Sequence, residues 1–258
     1  MNIESQFIFN SKLVNSRDVN FLNQFIKYYL NKVSFNNLEV YFNKGKILDL
    51  SIENLLDKVI VKNLGGYCFE HNKIFNYLLL EYGFNVVSYL GRVVYGQEIE
   101  TPRTHHTNVV AIKGVEYIVD VGFGPYTPGC LIPLSGEVVS DGHFNYFVKM
   151  NQEESLVRVF TYRDNEEFEL YNFRRELCFD CDYKLSNYYT NTHPDSKFVN
   201  EVIVSQKKSD EVKFISNNIL SSISKSGRVD IDIKDHDHFV LILKNDFNLE
   251  FSSFIKED

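Results

Sequence analysis

Apolar residues in the first third of the chain recur every three to four positions, which predicts amphipathic α-helices. One apolar stripe follows Val19. A second begins behind Ser51, a possible helix N-cap, and a third begins after Cys68 and ends near Gly83, where a glycine would cap the helix C-terminus. We therefore expect a small helical bundle in this region. The apolar positions of the first two stripes are Phe21, Leu22, Phe25, Ile26 and Tyr29, then Ile52, Leu55, Leu56, Val59 and Ile60.

Between Val86 and about Phe173 the apolar positions alternate as they do in strands, and Gly, Asn and Asp turns separate the segments. This pattern predicts an antiparallel sheet or barrel. From about Asn187 the chain mixes a polar turn region, the strand-like "EVIVSQ" and an alternating "HFVLILKN", which predicts a strand before a helical or frayed tail. The predicted strands of the middle region are "VVSYLGRVVYG", "TNVVAIKGVEYIVDVGFG", "NYFVKM", "SLVRVFTY" and "EFELYNF".

Composition limits the classes of protein that these elements can form. With 258 residues and 44% hydrophobic content, the chain can bury a sizeable core. No apolar run approaches membrane-spanning length, and "MNIESQFIFNSKLVNSRDVN" lacks the basic start and continuous apolar segment of a signal peptide, so we expect a cytoplasmic protein with no membrane partner. The net charge of −8 argues against nucleic-acid binding, although a local basic patch could hold a small anionic cofactor.

The four cysteines are expected to be free thiols, because a reducing compartment disfavours structural disulfides. The stretch "CFDC", residues 178–181, has the spacing of a metal-ligand pair. No second such pair and no matching histidine pair follows it. We therefore predict no metal site.

The stretch "NLGGYCFEHN", residues 63–72, places a cysteine behind two glycines at the first turn of the third helix. The glycines permit close backbone approaches that other residues prevent, and they leave Cys68 at the positive end of the helix dipole. The thiolate, which is the nucleophilic form of cysteine, is favoured at such a position. A buried structural cysteine is the alternative, since free cysteines are commonly buried. This stretch alone does not decide between the two interpretations.

The stretch "PRTHHTNVVAIKGVEYIVDVGFG" offers a base and a carboxylate that could serve such a thiol. If the turn at residues 113–114 holds two residues, His105 lies on the same face as Asp120, as its diagonal neighbour on the adjacent strand. His106 then points to the other face. A turn of odd length would exchange the two histidines.

A cysteine, a histidine and an aspartate on separate elements suggest nucleophilic catalysis. In that arrangement the aspartate fixes the imidazole tautomer, the histidine takes the thiol proton, and the thiolate attacks a carbonyl group. A chain of 258 residues also contains these residue types by chance, so their spacing alone leaves the interpretation open.

Three motifs together resemble the arylamine N-acetyltransferase family. "GGYCFEHN" is similar to the family's nucleophile segment, "PRTH" to its histidine segment and "YIVDVGFG" to its aspartate segment, in the family's order. Weaker similarity in "SFNNLEV" and "NYYTNTHPDSKF" extends the resemblance over most of the chain. It implies that Cys68 is the acetyl-accepting nucleophile, His105 its base and Asp120 the orienting carboxylate. The ungapped match selects His105 over His106, in agreement with the strand parity.

The resemblance also implies a fold and a reaction. The fold is α+β: a helical bundle at residues 1–85 carries the nucleophile, an antiparallel β-barrel at 86–186 carries the histidine and the aspartate, and an α/β lid follows at 187–258. The core is a Cys-His-Asp arrangement like that of cysteine proteases. In the reaction, acetyl-CoA is the co-substrate, and the cysteine takes the acetyl group as a thioester. Coenzyme A leaves, and an arylamine, arylhydrazine or N-hydroxyarylamine accepts the acetyl group, as in xenobiotic metabolism.

Contacts with the two substrates are expected near the same motifs. Phe123, in the "GFG" segment, is expected to line the pocket for the aromatic acceptor, and Arg103 and Thr104 are expected to contact the cofactor. No Gly-rich nucleotide loop is present in the sequence, so basic side chains are the candidates for holding the coenzyme A phosphates. Those considered are Arg103, Lys207, Lys208 and Arg228.

The chain departs from the family pattern at three positions. Leu64 stands where the family usually has Arg, Asn36 where it has Glu, and Pro125 where a second glycine often stands. The missing Arg and Glu could be partners, in which case a neutral contact replaces an ion pair here. Two alternatives stay open: an amide synthase or cysteine-peptidase-type hydrolase with the same triad, and a non-catalytic paralogue that acts as a binding module. The intact triad argues against the second.

Overall fold

The computed structural model describes residues 17–96, 100–151, 153 and 155–255, and the N-terminal stretch considered above as a signal peptide lies outside them up to residue 16. Helices and two antiparallel sheets make up the described part, which confirms the α+β class. No helix in these ranges is both long enough and apolar enough to cross a membrane. The helices, with a short strand between the first two, are α1 (Val19–Lys32), β1 (Phe35–Asn36), α2 (Leu38–Phe42), α3 (Ile52–Leu55), α4 (Cys68–Glu81), α5 (Asp180–Thr192), α6 (Lys197–Asn200) and α7 (His236–Phe247).

The first two predicted stripes form helices that share one apolar core. All five predicted apolar positions of α1 are buried, and Asp18 caps the helix by accepting a hydrogen bond from the Phe21 amide at 2.8 Å. The second stripe starts as α3 and continues as a π-helical segment, Leu56–Val61. Ser51 does stand at the N-cap position of α3, but its hydroxyl donates to Asp49 and does not cap the helix.

Helix α4 begins at Cys68 and ends at the predicted glycine cap. Gly83 has a φ of +73°, and its amide donates to the Leu80 carbonyl at 2.8 Å. The Phe84 amide donates to the Leu79 carbonyl at 2.9 Å, which completes a Schellman motif. With its C-terminus closed in this way and its apolar face in the shared core, the helix holds its first turn in a defined position.

Eight strands from the middle of the chain form one antiparallel sheet. They are β2 (Asn85–Val93), β3 (His105–Ile112), β4 (Val115–Val119), β5 (Ile132–Pro133), β6 (Val139–Ser140), β7 (Asn145–Asn151), β8 (Leu156–Arg163) and β9 (Glu166–Arg174). Their spatial order is β5-β4-β3-β2-β9-β8-β7-β6. Because β5 also lies against β7, the sheet curls into a nearly closed barrel, as predicted. Helix α4 packs on β2 and β3.

The hairpin of β3 and β4 confirms the predicted two-residue turn. Its register pairs Ile112 with Val115, and residues 113 and 114 have φ values of +51° and +83°, the positive values that a type I′ turn requires. The same parity brings His105 and Asp120 together.

A second sheet joins distant parts of the chain, because β1 pairs with the first strand of the C-terminal region. The sequence pattern predicted only that first strand. The division of the chain at residues 85 and 186 stays a prediction. The strands of the second sheet that follow β1, in spatial order, are β10 (Val204–Lys207), β11 (Glu211–Ser216), β12 (Ile219–Ser224) and β13 (Gly227–Asp232).

The strand predicted for "HFVLILKN" is wrong, because this stretch lies in helix α7. Asp235 caps the helix by accepting from the His238 amide at 2.8 Å. Ile242, Leu243 and Phe247 are buried at helical spacing on one face. A short apolar run does not distinguish a strand from a helix by its period alone, and here the cap and the burial of one helix face decide.

The polar turn region predicted from Asn187 is also wrong as far as Thr192, because these residues form the second half of α5. Asn187 and Asn191 are buried, and their amides bond the Tyr67 hydroxyl and the backbone of Leu48. The buried face of this helix is therefore largely polar and has no apolar stripe, and its buried side chains are hydrogen-bonded, as buried polar groups must be. They hold α5 against the start of α4.

A buried ion cluster fixes the first turn of α4. Glu70 accepts from the Tyr67 amide at 3.0 Å and from the Lys58 ammonium at 2.7 Å, and Lys58 also lies 2.7 Å from Glu39. The Glu70 side chain is only 1% exposed, so burial raises the pKa of its carboxyl group even though Lys58 acts in the opposite direction. The Lys58 ammonium is therefore needed to keep Glu70 and Glu39 ionised side by side.

We expect Lys58→Met to lower the free energy of unfolding by about 3–5 kcal/mol near pH 8, because it leaves the buried Glu70 carboxylate without its cation and leaves Glu39 with Lys46 alone. Burial raises the pKa of Glu39, but Lys58 and Lys46 outweigh it and hold that pKa below its ordinary value. The stabilisation by the Glu39 ion pairs is therefore present above the pKa that Glu39 has in the unfolded chain, and it is lost as the pH falls through the lower pKa of the folded state. The loss of unfolding free energy in Lys58→Met should therefore be smaller near pH 4 than near pH 8. Urea unfolding at both pH values measures this.

Lys62→Met is the matched control for this prediction. It removes an exposed ion pair with Asp57 and should change stability by less than about 0.5 kcal/mol. An equal deficit of Lys58→Met at both pH values would show that the lysine stabilises the fold by packing and not by charge.

Candidate active site

Three elements meet at one end of the barrel and bring the predicted triad together. Cys68 is the first residue of α4, His105 is the first residue of β3, and Asp120 directly follows β4. All three are buried, with 4%, 1% and 2% of their surfaces exposed. Because the site is shielded from bulk water, the interactions between these groups are stronger than they would be on the surface.

His105 links the other two residues. Its Nε2 lies 2.6 Å from Asp120 Oδ2, and its side chain also bonds the Cys68 thiol, for which Nδ1 is the remaining ring nitrogen. When Cys68 is a neutral thiol, its Sγ can instead donate to the Thr104 carbonyl, which lies 3.4 Å away. A proton can therefore pass between thiol and imidazole while the carboxylate holds the ring in place.

The electrostatics of the site favour a charged imidazole. Burial lowers the pKa of His105, but Asp120 and Cys68 outweigh burial and raise that pKa to about 9. Burial raises the pKa of Asp120, and His105 together with hydrogen bonds from Asn72 and the Gly122 amide brings it below its ordinary value. At neutral pH the imidazole thus carries a proton beside an ionised carboxylate, and a neighbouring cation stabilises a thiolate.

Asn72 holds the aspartate in place, although it was not among the predicted site residues. Its Nδ2 donates to Asp120 Oδ1 at 2.9 Å and to the His106 carbonyl at 2.6 Å, while its Oδ1 accepts from the Val121 amide at 3.0 Å. Asn72 follows Cys68 by one helical turn and therefore lies on the same face of α4. That spacing is the signal that could have identified it.

Aromatic rings lie against His105. The ring centroid of Tyr171 lies 4.5 Å from that of His105, and the Phe123 ring meets the imidazole edge-on at 5.0 Å. Tyr171 comes from β9, and no local pattern in the sequence indicated it. The role predicted for Phe123 in an acceptor pocket stays a prediction, and the ring contact places Phe123 beside His105.

Two glycines allow close backbone approaches on either side of Cys68. Gly65 has a φ of +65°, and a Cβ there would lie 2.2 Å from the Ser34 carbonyl oxygen, which confirms the need for glycine before Cys68. At Gly122, which the sequence analysis did not single out, a Cβ would lie 3.0 Å from the Cα of Cys68. A side chain at Gly122 would push the segment after Asp120 away from α4, and a side chain at Gly65 would push the segment before α4 away from Ser34.

The basic residues considered for the cofactor are mostly paired. Arg103 and Arg228 form surface ion pairs with neighbouring carboxylates, Lys207 is buried in an ion pair, and Lys208 is exposed. The Thr104 carbonyl contacts the Cys68 sulfur. Contacts of Arg103 and Thr104 with a cofactor stay predictions. Across the described ranges, no group of three or more His, Cys, Asp or Glu side chains is arranged to hold a metal ion, and all four cysteines are free.

Two of the three departures from the family pattern contact each other. Asn36 Nδ2 donates to the Leu64 carbonyl at 2.9 Å, and its Oδ1 accepts from the Leu38 amide at 3.2 Å. The Leu64 side chain packs against the apolar cluster between the second sheet and α7. A neutral hydrogen bond and an apolar contact thus stand where the family pattern has an Arg and a Glu.

A sequence model of the family described as N-acetyltransferase matches residues 18–255 of the chain. The arylamine N-acetyltransferase of Mycobacterium tuberculosis is 36% identical over 157 residues, which cover 58% of this chain and 55% of the relative. In that match the chain spans just over half of the relative's length. The arylamine N-acetyltransferase of Mycolicibacterium smegmatis is 32% identical over 193 residues, with 72% of this chain and 69% of the relative covered.

Among solved structures, the arylamine N-acetyltransferase of Mycobacterium marinum in complex with CoA has a TM-score of 0.86 to this chain. The two are 25% identical, and the superposition covers 95% of this chain and 93% of the other. The similarity in fold therefore extends over nearly all of both chains.

Proposed function

This chain belongs to the arylamine N-acetyltransferase family, and from that premise we propose that it moves an acetyl group from acetyl-CoA to an aromatic amine through a thioester on Cys68. The acceptors in this proposal are arylamines, arylhydrazines and N-hydroxyarylamines, so that a role in the metabolism of foreign aromatic compounds is included. The cofactor is supported by the similar M. marinum structure, which is a complex with CoA. A cytoplasmic location belongs to the same proposal and is supported by the four free thiols.

One observation carries the proposal: a buried imidazole connects the thiol at the start of α4 with a carboxylate that lies 2.6 Å from its other side. In this geometry Cys68 is the nucleophile, His105 exchanges the proton, and Asp120 fixes the ring and balances its charge. A cysteine kept only for packing would need neither partner.

The reaction proceeds in two half-reactions that use the same three residues. First, the Cys68 thiolate attacks the acetyl carbonyl, the bond from that carbon to the coenzyme A sulfur breaks, and His105 returns its proton to the departing thiolate. Second, the amine nitrogen attacks the new thioester, and the bond to the Cys68 sulfur breaks. An aromatic amine is weakly basic and already neutral at pH 7, so it needs His105 only to accept the proton released as the amide forms.

Other contacts complete the proposal. The Phe123 ring, which lies edge-on to His105, lines the space for the aromatic acceptor. In this proposal Arg103 and Thr104, which precede His105 in the chain, contact the cofactor, and the Thr104 carbonyl lies 3.4 Å from the Cys68 sulfur. The amide synthase, the hydrolase and the non-catalytic binding module remain distinguishable from this function, because none of them is acetylated by acetyl-CoA.

We expect incubation with acetyl-CoA alone to add one acetyl group to the protein and an arylamine to remove it, as measured by intact mass. Because coenzyme A departs before the amine binds, steady-state kinetics with both substrates varied should give parallel double-reciprocal lines. Intersecting lines would indicate direct transfer in a ternary complex and would contradict the thioester. Absence of the acetylated species would favour one of the alternative functions.

A further inference from the structure

Strand β13 is the last strand of the second sheet, and one of its two edges is open. On one side it pairs with β12, in a register that places Ile231 opposite Leu220. In the part of the chain that the structure describes, no strand pairs with its other side. All residues of β13 are exposed, so this edge is accessible to a further strand.

The direction of one hydrogen bond shows which backbone groups lie on the open edge. The amide of Ile233, the residue after β13, donates to the Asn218 carbonyl at 2.8 Å and therefore points towards β12. Backbone groups of successive strand residues point to alternate sides, so the residues two and four positions earlier also bond β12. The amides and carbonyls of Arg228, Asp230 and Asp232 consequently point away from β12, where another strand would bond them.

The side chains of β13 form two rows of different chemistry. Arg228 and Asp230 lie on one face, and the guanidinium donates to the carboxylate at 2.9 Å through Nε. Val229 and Ile231 lie on the other face, with 59% and 47% of their surfaces exposed. A partner strand would therefore meet charges of both signs on one face and apolar side chains on the other.

Only one antiparallel register between β13 and a second copy of itself sets opposite charges against each other and no like charges. A two-fold axis at Arg228, Asp230 or Asp232 places that residue opposite its own copy, and like charges directly opposite are destabilising. An axis at Ile231 sets Asp230 opposite Asp232, and an axis at the glycine pairs no charges. An axis at Val229 places Arg228 of each copy opposite Asp230 of the other.

In the register with its axis at Val229, the charges and the hydrogen bonds agree. Each Arg228 has its own Asp230 beside it and the Asp230 of the other copy across from it, so the signs alternate around the four groups. Arg228 and Asp230 both point to the open edge, so each opposed pair exchanges two backbone hydrogen bonds, which gives about four in all. On the other face the two Val229 side chains cover each other.

We propose that the open edge of β13 binds a second copy of this chain, antiparallel about Val229, so that the two five-stranded sheets become one continuous sheet. The contact consists of one six-residue strand from each copy, which is small compared with a standard interface of about 800 Å² per partner. The dimer is therefore weak and reversible, with a dissociation constant between about 10 µM and 1 mM. The association does not depend on the acetyl transfer proposed above.

Sedimentation velocity of the full chain between about 5 and 500 µM tests the association, with dimer expected at the upper end. Arg228→Asp makes all four central charges negative, and Asp230→Arg makes all four positive. Each variant alone should therefore raise the dissociation constant at least about tenfold. An equimolar mixture of the two variants should restore the dimer, because every charge then faces its opposite.

Lys184→Asp is the matched control for Arg228→Asp. It makes the same change of charge on α5, at a side chain that is 71% exposed, and should leave the dimer unchanged. The proposal would be overturned by a chain that stays monomeric up to the highest concentration, by a dimer that persists in both charge variants, or by a mixture that associates no better than its components.

Amide hydrogen exchange in the unchanged chain provides a second measurement that needs no variant. The amides of Arg228 and Asp230 should exchange more slowly at high protein concentration than at low concentration, because they bond the second copy. The Val229 amide already bonds β12 and should not change. Equal exchange of all three amides at both concentrations would contradict the proposal. None of these readouts involves acetyl transfer, so failure here leaves the proposed function untouched.

Discussion

Cys68→Ser is expected to abolish both acetylation by acetyl-CoA and turnover of an arylamine, with kcat/KM reduced at least about 10⁴-fold, since loss of the nucleophile in another catalytic triad costs about 10⁶-fold. The serine hydroxyl keeps the size and hydrogen bonding of the thiol, so the fold should persist, but an alcohol is far less readily ionised and is a weaker nucleophile. Intact mass after incubation with acetyl-CoA, together with circular dichroism, measures the two effects separately.

Cys130→Ser is the matched control for this loss. Burial raises the pKa of the Cys130 thiol to about 12, with Asp141 acting in the same direction, so this cysteine is not a thiolate at neutral pH. The control variant should be acetylated at an unchanged rate. If the acetyl group persisted in Cys68→Ser, or disappeared in Cys130→Ser, the assignment of the nucleophile would be wrong.

His105→Gln should slow acetylation by about 10²–10⁴-fold, the usual contribution of a positioned acid or base. His105 is the group that bonds both the thiol and the carboxylate, and its pKa of about 9 keeps it protonated at neutral pH. His106→Gln should slow the reaction by less than about tenfold, because that imidazole faces Ser88 and takes no part in proton transfer.

The pH dependence of Cys68 alkylation by iodoacetamide separates the two histidines. In the unchanged protein the pKa of His105, about 9, keeps a charged imidazole beside the Cys68 sulfur throughout the neutral range. His106→Gln should keep the alkylation profile of the unchanged protein, and His105→Gln should lose reactivity at the low-pH end of that profile. The base assignment is falsified if His106→Gln is the variant that loses the low-pH reactivity.

The pairing of His105 with Asp120 could be predicted from the sequence because it depends on local geometry. Lys113 and Gly114 adopt the positive φ angles of a two-residue turn, and a strand alternates its side chains, so the turn length alone decides which histidine faces the aspartate. The start of α4 at Cys68 follows in the same way, from two glycines before an apolar helical period.

Other parts of the site could not be read from neighbouring residues. Tyr171 reaches His105 from β9, and Asn187 reaches Tyr67 from a helix whose buried face is polar, so hydropathy gives no signal for either contact. The contact of Asn36 with Leu64 was expected only from the loss of two charged residues together. Each of these contacts forms only when segments that are far apart in the chain pack together, and a single sequence does not indicate which distant segments will meet.

The sequence by itself determined the helix that presents the thiol, the hairpin that pairs base and carboxylate, and the α+β class, because turn chemistry and hydrophobic period act over a few residues. Only the tertiary structure decided that "HFVLILKN" is helical, that β1 joins the C-terminal sheet, and which polar groups are satisfied. These features depend on which surfaces of the helices and strands pack together. Burial is decided by the fold of the whole chain, whereas the preference for a backbone conformation is a property of each residue.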